Sequence, residues 1–280
     1  MLRTSRLRVL DGCDLDEVAE LLQRDPVTDV FVGSRIQACG LDSWRLGAEI
    51  WGFGERGRLE SLCYAGANLV PVQAGEDAIR AFAERGRKQG RRCSSIVGPQ
   101  TAVLPIWASL EPTWGGAREV RPDQPLLAID RDPDVLDDPL VRRVRPDEVD
   151  VLLPACVQMF TEEVGISPLL GDGGALYRTR VSELVEQGRA FARIEDGAVS
   201  FKAEIGAATP AACQVQGVWV HPSLRGQGRG TAGTASVVRL ARAEVAPVVS
   251  LYVNSYNLPA RRSYEKAGFT QVGTFASVLF

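Results

Sequence analysis

The run Val218-Trp219-Val220-His221-Pro222-Ser223-Leu224-Arg225-Gly226-Gln227-Gly228-Arg229-Gly230 joins an apolar strand to a loop rich in backbone donors. Three glycines at alternate positions let the main chain turn sharply and present successive N–H groups. The helix expected to follow, from Thr231 to about Glu244, adds the positive end of its dipole. This is the chemistry of an anion cradle, and a pyrophosphate fits it. A second constellation lies downstream in Asn254-Ser255-Tyr256-Asn257-Leu258-Pro259-Ala260-Arg261-Arg262-Ser263-Tyr264-Glu265-Lys266-Ala267-Gly268-Phe269, where a strand ends at an asparagine and a short helix carries a tyrosine before Gly-Phe.

Two nucleotide readings of the loop fail on context. Gly228-x-Gly230-x-x-Gly233 formally satisfies a dinucleotide fingerprint, but such a strand runs directly into its first glycine, and here His221 to Arg225 intervene. The strand that follows ends in Asn254 and not in the acidic residue a ribose needs, and no Gly-Lys-Ser/Thr of a Walker loop is present.

The elements that must position these residues can be read from periodicity. Val141 to Val144 reads as a strand, and Pro146-Asp147-Glu148 starts a helix with Val149, Leu152, Leu153, Cys156 and Phe160 at helical spacing. Gly188 to Ile194 and Ala198 to Ile205 form a hairpin through Glu195-Asp196-Gly197, and Gln214 to Val220 is the next strand. After the glycine loop and its helix come the buried strand Val248 to Val253, a short helix from Ala260 to Lys266 stopped by Gly268, and terminal strands over Thr270 to Phe280. This order specifies a mixed α/β sheet with the anion loop between its central strand and main helix.

The chain of 280 residues predicts two domains. The stretch Asp130 to Pro139, acidic, with two prolines and no apolar period, reads as a linker and puts the boundary near residue 138, giving domains 1–138 and 139–280. The first half repeats nearly the same plan: strand Leu7 to Leu10, helix Leu15 to Gln23, strands Ala48 to Phe53 and Leu59 to Tyr64, helix Glu76 to Lys88, strand Cys93 to Val97, a helical segment Ala102 to Leu110 and strand Leu126 to Ile129. At the place of the glycine loop it has Ala65-Gly66-Ala67-Asn68-Leu69-Val70-Pro71-Val72, with no arginine-and-glycine cradle.

Apolar residues at 45% and charged residues at 24% are ordinary for a globular protein, and a net charge of −3 gives no general attraction for nucleic acid or an anionic membrane. No apolar run reaches the roughly 18 residues of a membrane span. Met1 to Arg6 leads into a strand and not a signal-peptide core, so a cytoplasmic location is expected. Six cysteines spread singly (Cys13, Cys39, Cys63, Cys93, Cys156, Cys213) and one histidine predict reduced thiols and no metal site.

Arg225-x-x-Gly228-x-Gly230 on a strand-to-helix loop, with Gly217 to Pro222 before it and Asn254 to Phe269 after it, resembles the signature of the GNAT superfamily of acyl-CoA-dependent N-acyltransferases. The resemblance covers about residues 140 to 280; the first half resembles the same fold only in element order, as a degenerate GNAT-like, substrate or regulatory domain. It implies that the amides of Gly226, Gln227, Gly228, Arg229, Gly230 and Thr231 hold the pyrophosphate of acetyl-CoA, with Arg225 shaping the loop. It implies that the backbone of the strand Val218, Trp219, Val220 pairs with the pantetheine arm, in the manner of an added strand. A splayed strand there would set an N–H near the thioester oxygen, where negative charge develops. Asn254, Asn257 and Ala260 belong by the same resemblance to the cofactor-binding set. Tyr264 stands where the family often keeps the general acid for the departing thiolate, the alternative being a tyrosine that packs its ring under the cofactor.

The general base stays open. Many relatives carry a glutamate at the position of Gln216, and glutamine cannot accept the amine proton. Glu204 on the preceding strand, the pair Glu162 and Glu163 after the first helix of this half, a water chain, or an amine already neutral could serve in its place, and each carboxylate is also readable as a solvated acid. Glu162, Glu163 and Asp172 form an acidic set that favours a cationic acceptor. Strict two-residue alternation puts Trp219 and His221 on the opposite strand face from Gln216 and Val220, making His221 an exposed turn residue and turning the Trp219 side chain away from the acyl channel. The reading is therefore an acetyl-CoA-dependent N-acetyltransferase acting on a primary amine, as a monomer or homodimer. An acyl-CoA sensor with no catalysis is the alternative that Gln216 keeps open, and a third reading makes the first half a substrate module.

Overall fold

In the computed structural model the described residues are 6–170 and 173–280, so Asp172 and the first five residues lie outside them. The elements in chain order are β1 Leu7–Val9, α1 Leu15–Gln23, α2 Val30–Cys39, α3 Ser43–Leu46, β2 Glu49–Glu55, β3 Arg58–Ala65, β4 Asn68–Val72, α4 Glu76–Gln89, β5 Ser95–Pro99, α5 Gln100–Trp114 and β6 Glu119–Ile129. They continue with β7 Arg142–Arg143, α6 Val149–Val164, α7 Ala175–Glu186, β8 Ala190–Glu195, β9 Ala198–Ala208, β10 Ala212–Val220, α8 Arg229–Glu244, β11 Val248–Tyr252, α9 Leu258–Ala267 and β12 Thr270–Leu279.

The chain forms two units, and the division is not at residue 138. Unit 1 comprises the chain up to Leu126 with Tyr252–Tyr256 and Gln271–Phe280, and unit 2 comprises Leu127–Leu251 with Asn257–Thr270. The supposed linker belongs to unit 2 because its acids have arginine partners there. Asp137 pairs with Arg239 at 2.9 Å, Asp132 pairs with Arg242, and Asp138, 6% exposed, pairs with Arg193 at 2.6 Å. The main chain of Asp138 also exchanges two hydrogen bonds with Ser236 Oγ of α8, each 2.8 Å. An acidic, proline-bearing composition thus marks a tethered strap, because buried or paired carboxylates lose the solvent freedom that linkers keep.

Unit 1 has the strand order β1-β2-β3-β4-β5-β12-β6. The pairs are antiparallel from β1 to β4, parallel between β4 and β5, and antiparallel between β5 and β12. Its sheet is covered on both faces: Phe82 of α4 and Ile106 and Leu110 of α5 pack with Trp51 and Ile96, while Leu21 of α1, Ile36 of α2 and Leu46 of α3 pack with Ile50 and Leu62. The stretch Ala65 to Val72 is a turn and β4, so the segment that precedes a helix as the glycine loop does is Gln73-Ala74-Gly75. Helices α2, α3 and α7 have no counterpart in the periodicity reading, and the terminal stretch is one strand.

Unit 2 has the order β7-β8-β9-β10-β11, antiparallel up to β10 and parallel between β10 and β11, with α8 as the crossover that parallel pairing requires. The hairpin turn expected at Glu195-Asp196-Gly197 is present, with Asp196 at φ +49° and Gly197 at +75° as such two-residue turns need. Cys156 and Leu152 of α6 and Val181 of α7 pack on one sheet face with Trp219. On the other face α8 lies so close that a Cβ on Gly233 would fall 2.7 Å from the Phe201 ring.

Because ten C-terminal residues and Tyr252–Tyr256 belong to unit 1, and residues 127–138 to unit 2, a fragment 139–280 lacks part of one unit and carries orphaned strand from the other. This fragment should unfold without a cooperative transition in urea, whereas the full chain should show one; a sharp, reversible transition for the fragment would overturn the assignment.

Candidate functional site

The site in unit 2 is made by β10 leaving both of its regular ladders. Its registered pairs with β11 are Ala212↔Val248, Cys213↔Val249 and Gln214↔Ser250, and the pairing ends there. From Val215 onward the β11 side of the strand is open. On its other side the ladder with β9 slips twice. Between Gln214↔Ala207 and Val215↔Ile205 the extra residue is Gly206 of β9, and between Gln216↔Glu204 and Trp219↔Lys202 the two residues Gly217 and Val218 oppose one. Gly217 sits at φ +60°, a conformation that favours glycine, as a bulge residue often demands.

The second bulge changes which face each side chain occupies. Lys202 and Glu204 are two residues apart on β9 and so share a face, and their partners Trp219 and Gln216 must share it as well. Two-residue alternation placed Trp219 and His221 opposite Gln216; the extra residue at Gly217 reverses that, and the Trp219 and His221 rings meet edge to face at 5.8 Å. Trp219 is 5% exposed and packs under α6 and α7, and its Nε1–H is buried without an acceptor among the described residues.

This shared face holds a polar cluster under α6. Gln216 Nε2 donates to Glu204 Oε1 at 3.0 Å, and Lys202 Nζ donates to Glu204 Oε2 at 3.2 Å and to Cys156 Sγ at 3.4 Å. Tyr177 of α7 closes the rim by donating its hydroxyl to the Cys156 carbonyl at 3.0 Å. Lys202 is 1% exposed and Glu204 8%. Burial alone would pull the Lys202 ammonium toward neutrality, but the Glu204 carboxylate and Cys156 outweigh it and hold its pKa above the ordinary lysine value. Burial raises the Cys156 thiol and the Tyr177 phenol, so both stay protonated. A Cβ on Gly217 would lie 3.1 Å from Glu204 Cδ and 3.2 Å from Lys202 Nζ, and one on Gly206 would lie 2.2 Å from Gln216 Oε1. At Gly217 the positive φ and the close approach of the cluster both favour glycine, whereas at Gly206 a side chain would have to displace the Gln216 amide.

The glycine loop follows β10 directly. His221 is exposed, and its Nδ1 accepts the Ser223 N–H to start a single helical turn, Pro222–Leu224. Gly226 at φ +77° and Gly228 at +80° make the turns into α8, with open space at both Cβ positions. Helix α8 starts at Arg229, two residues earlier than periodicity suggests, so Arg229, Gly230 and Thr231 form its first turn. Their N–H groups are the orphan donors of a helix start. Gln227 Nε2 donates to the Ser223 carbonyl at 3.3 Å, and Arg229 lies 3.9 Å from both Asp138 and Glu195 carboxylates. Arg225 shapes the loop: its Nε donates to the Val220 carbonyl at 3.0 Å and its Nη2 to Glu162 Oε2 at 2.7 Å. Glu162 is therefore spoken for by the loop, a partnership that neither sequence segment signals.

Of the remaining candidates, Tyr264 on α9 is 7% exposed and its ring tilts against Phe269 at 5.9 Å. Burial, with the charge of Glu163 near it, raises its phenol and keeps it protonated. Asn257 Oδ1 caps α9 by accepting the Ala260 N–H at 3.3 Å, which commits both residues to the helix start. Asn254 falls in unit 1, where its Oδ1 accepts from Gln124 Nε2 at 2.8 Å. Sequence reasoning missed Lys202, Cys156 and Tyr177.

Comparison with known proteins bears on the family and the fold. Residues 183–269 match the acetyltransferase (GNAT) family model, and residues 48–152 match a domain of unknown function (DUF4081). No curated protein sequence matches the chain. Among solved structures, a GCN5-related N-acetyltransferase from Sphaerobacter thermophilus is 17% identical with a TM-score of 0.61, over 98% of this chain and 95% of that one. An acetyltransferase from the GNAT family of Colwellia psychrerythraea is 14% identical with a TM-score of 0.56 over 98% and 99%. A tandem GNAT protein from the clavulanic acid biosynthesis pathway is 16% identical with a TM-score of 0.52 over 98% of both chains. These likenesses extend the fold over the whole chain, as tandem GNAT-like halves in a mixed α/β architecture.

Replacing Glu204 by alanine strands the Lys202 ammonium in the interior, and uncompensated buried charges destabilise by about 3 kcal/mol. Glu204→Ala should lower the urea midpoint accordingly, and Glu204→Gln, which keeps an oxygen for Lys202 but removes the charge, should lose most of the same stability; a Gln variant as stable as the wild type would show that the carboxylate charge is immaterial there.

Proposed function

We propose that this chain, whose residues 183–269 form an acetyltransferase domain of the GNAT family, transfers an acetyl or short acyl group from acetyl-CoA to a primary amine in a ternary complex. The observation that carries the reading is β10: it parts from β11 after Gln214, bulges at Gly217 and runs straight into the Gly226–Gly230 loop and α8. One strand thereby offers a free backbone edge, a turned main chain and a helix start in succession. The pyrophosphate would lie on the N–H groups of Gly226 to Thr231, where donors and dipole favour an anion. The pantetheine arm would pair along Val218 to Val220. No helix among the described residues is long and apolar enough to cross a membrane, and we place the reaction in the cytoplasm.

In the transfer step the amine nitrogen attacks the thioester carbonyl carbon, forming C–N while C–S breaks and its electron pair goes to sulfur. Backbone N–H groups at the bulge would stabilise the oxyanion, a contribution worth about 3 kcal/mol where one such donor has been removed in an enzyme. The amine proton passes to Glu204, the carboxylate beside the bulge. Tyr264, buried and protonated, is the donor to the thiolate. Glu204 hydrogen-bonds Gln216 itself, which weakens the binding-only alternative that rested on a missing carboxylate at position 216.

Gly228→Glu adds bulk and negative charge to a glycine at φ +80° and should abolish acetyl-CoA binding in calorimetry; unchanged affinity would displace the pyrophosphate from this loop. The wild-type protein should bind acetyl-CoA and release CoA thiol with at least one of spermidine, lysine, glucosamine or a tripeptide with a free N-terminus. Binding without release would favour the sensor reading, and no binding would overturn both.

A further inference from the structure

Two charges, a thiol and an unmatched indole N–H lie on one buried face of the β9–β10 ladder, where an apolar face would pack as well. Replacing a buried ion pair by apolar residues of similar volume is often neutral or stabilising, so a domain built only for stability has no need of Lys202 and Glu204 there. Their location supplies the reason. Lys202 Nζ and Glu204 Cδ each come within 3.2 Å of the Cβ position at Gly217, the bulge that the transfer reading assigns to the thioester carbonyl. The groups that face Lys202 are Glu204 on its own strand and Cys156 from α6; Gln216 of β10 takes the other oxygen of Glu204, and Tyr177 of α7 is tied to the Cys156 carbonyl. Each carboxylate oxygen is thus held by one fixed donor and retains a second lone pair for a proton.

We propose that Lys202 is a positioning residue of the acyl-transfer site, whose enclosed ammonium holds the Glu204 carboxylate turned toward the Gly217 bulge. The inference rests on the transfer reading, and goes beyond it by giving the lysine a role through the carboxylate. Without it Glu204 keeps only the Gln216 donor and loses the second of the two contacts that fix its orientation.

The chain has three lysines, Lys88, Lys202 and Lys266, which makes the ammonium directly observable. Lys88, on an exposed helix with Glu84, and Lys266, also exposed, exchange their ammonium protons with water rapidly. In full-length protein labelled with ¹⁵N-lysine, Lys202 should give a protected Nζ signal near neutral pH. In Glu204→Gln, which preserves shape, that signal should disappear or exchange at least about tenfold faster. An ammonium signal independent of Glu204 overturns the proposal, and needs no acceptor to be known. With the amine that turns over, Lys202→Met should lower kcat at least about tenfold, leave the dissociation constant of acetyl-CoA within about twofold, and show no further loss when combined with Glu204→Gln. Losses that multiply in the double variant would make Lys202 merely structural. Failure of the wild-type protein to bind acetyl-CoA would instead sink the transfer reading, whatever the lysine signal shows.

Discussion

A β-strand cannot change which face its side chains occupy unless a residue is inserted, and β10 makes that change at Gly217 and Val218. Everything in unit 2 that could do chemistry depends on this extra residue. It brings Trp219 and Gln216 onto one face, over Lys202 and Glu204, and leaves Val220 on the other, where its Cγ2 lies 3.5 Å from the Cβ position of Gly230 in the glycine loop. A strand in regular register would have set Trp219 on the face that α8 covers; the parting from β11 begins earlier, after Gln214. Glycine at 217 follows from its φ of +60° and from Glu204 and Lys202 below it, while at the bulge of β9 the Gln216 side chain lies across Gly206.

The charges of unit 2 are arranged around this strand in two tiers. The inner tier is the enclosed pair, where the low dielectric makes each partner indispensable to the other. The outer tier is arginine-rich: Arg225 braces the exposed loop against Val220 and Glu162, Arg239 and Arg242 pair with Asp137 and Asp132 nearer the surface, and Arg193 holds the buried Asp138. Exposed pairs such as Arg225–Glu162 contribute roughly 0–1 kcal/mol each, so the outer tier acts by fixing geometry where a strap of chain must lie, and the inner one by orienting a carboxylate.

Periodicity and turn chemistry made most of unit 2 legible: the Asp196-Gly197 hairpin, α8, the Gly268 stop and the cradle glycines all stand where residue types demanded them. What escaped was whatever depends on burial by a distant element. Ser200, Lys202 and Glu204 alternate with Phe201, Ala203 and Ile205, the pattern of a strand with one solvated face, yet α6 covers that face and turns the charges into a cluster. The bulge escaped because no single residue announces it; Gly217 was visible, but its function as an inserted position is a property of the register with β9. Asn257 was legible as part of a motif and not as a cap, since a capping side chain and a ligand contact use the same oxygen. The acidic stretch before residue 139 misled for the complementary reason, its arginine partners being about a hundred residues away.

The strand order β5-β12-β6 has a consequence in time. In unit 1 β12 lies between two strands more than 140 residues earlier in the chain, so that sheet cannot close before β12 has been made. Contacts of such sequence separation close slowly, because loop entropy is lost before the pairing rewards it. The earlier half must therefore wait for β12, with the edges of β5 and β6 that it will join unpaired and open to mispairing in the meantime.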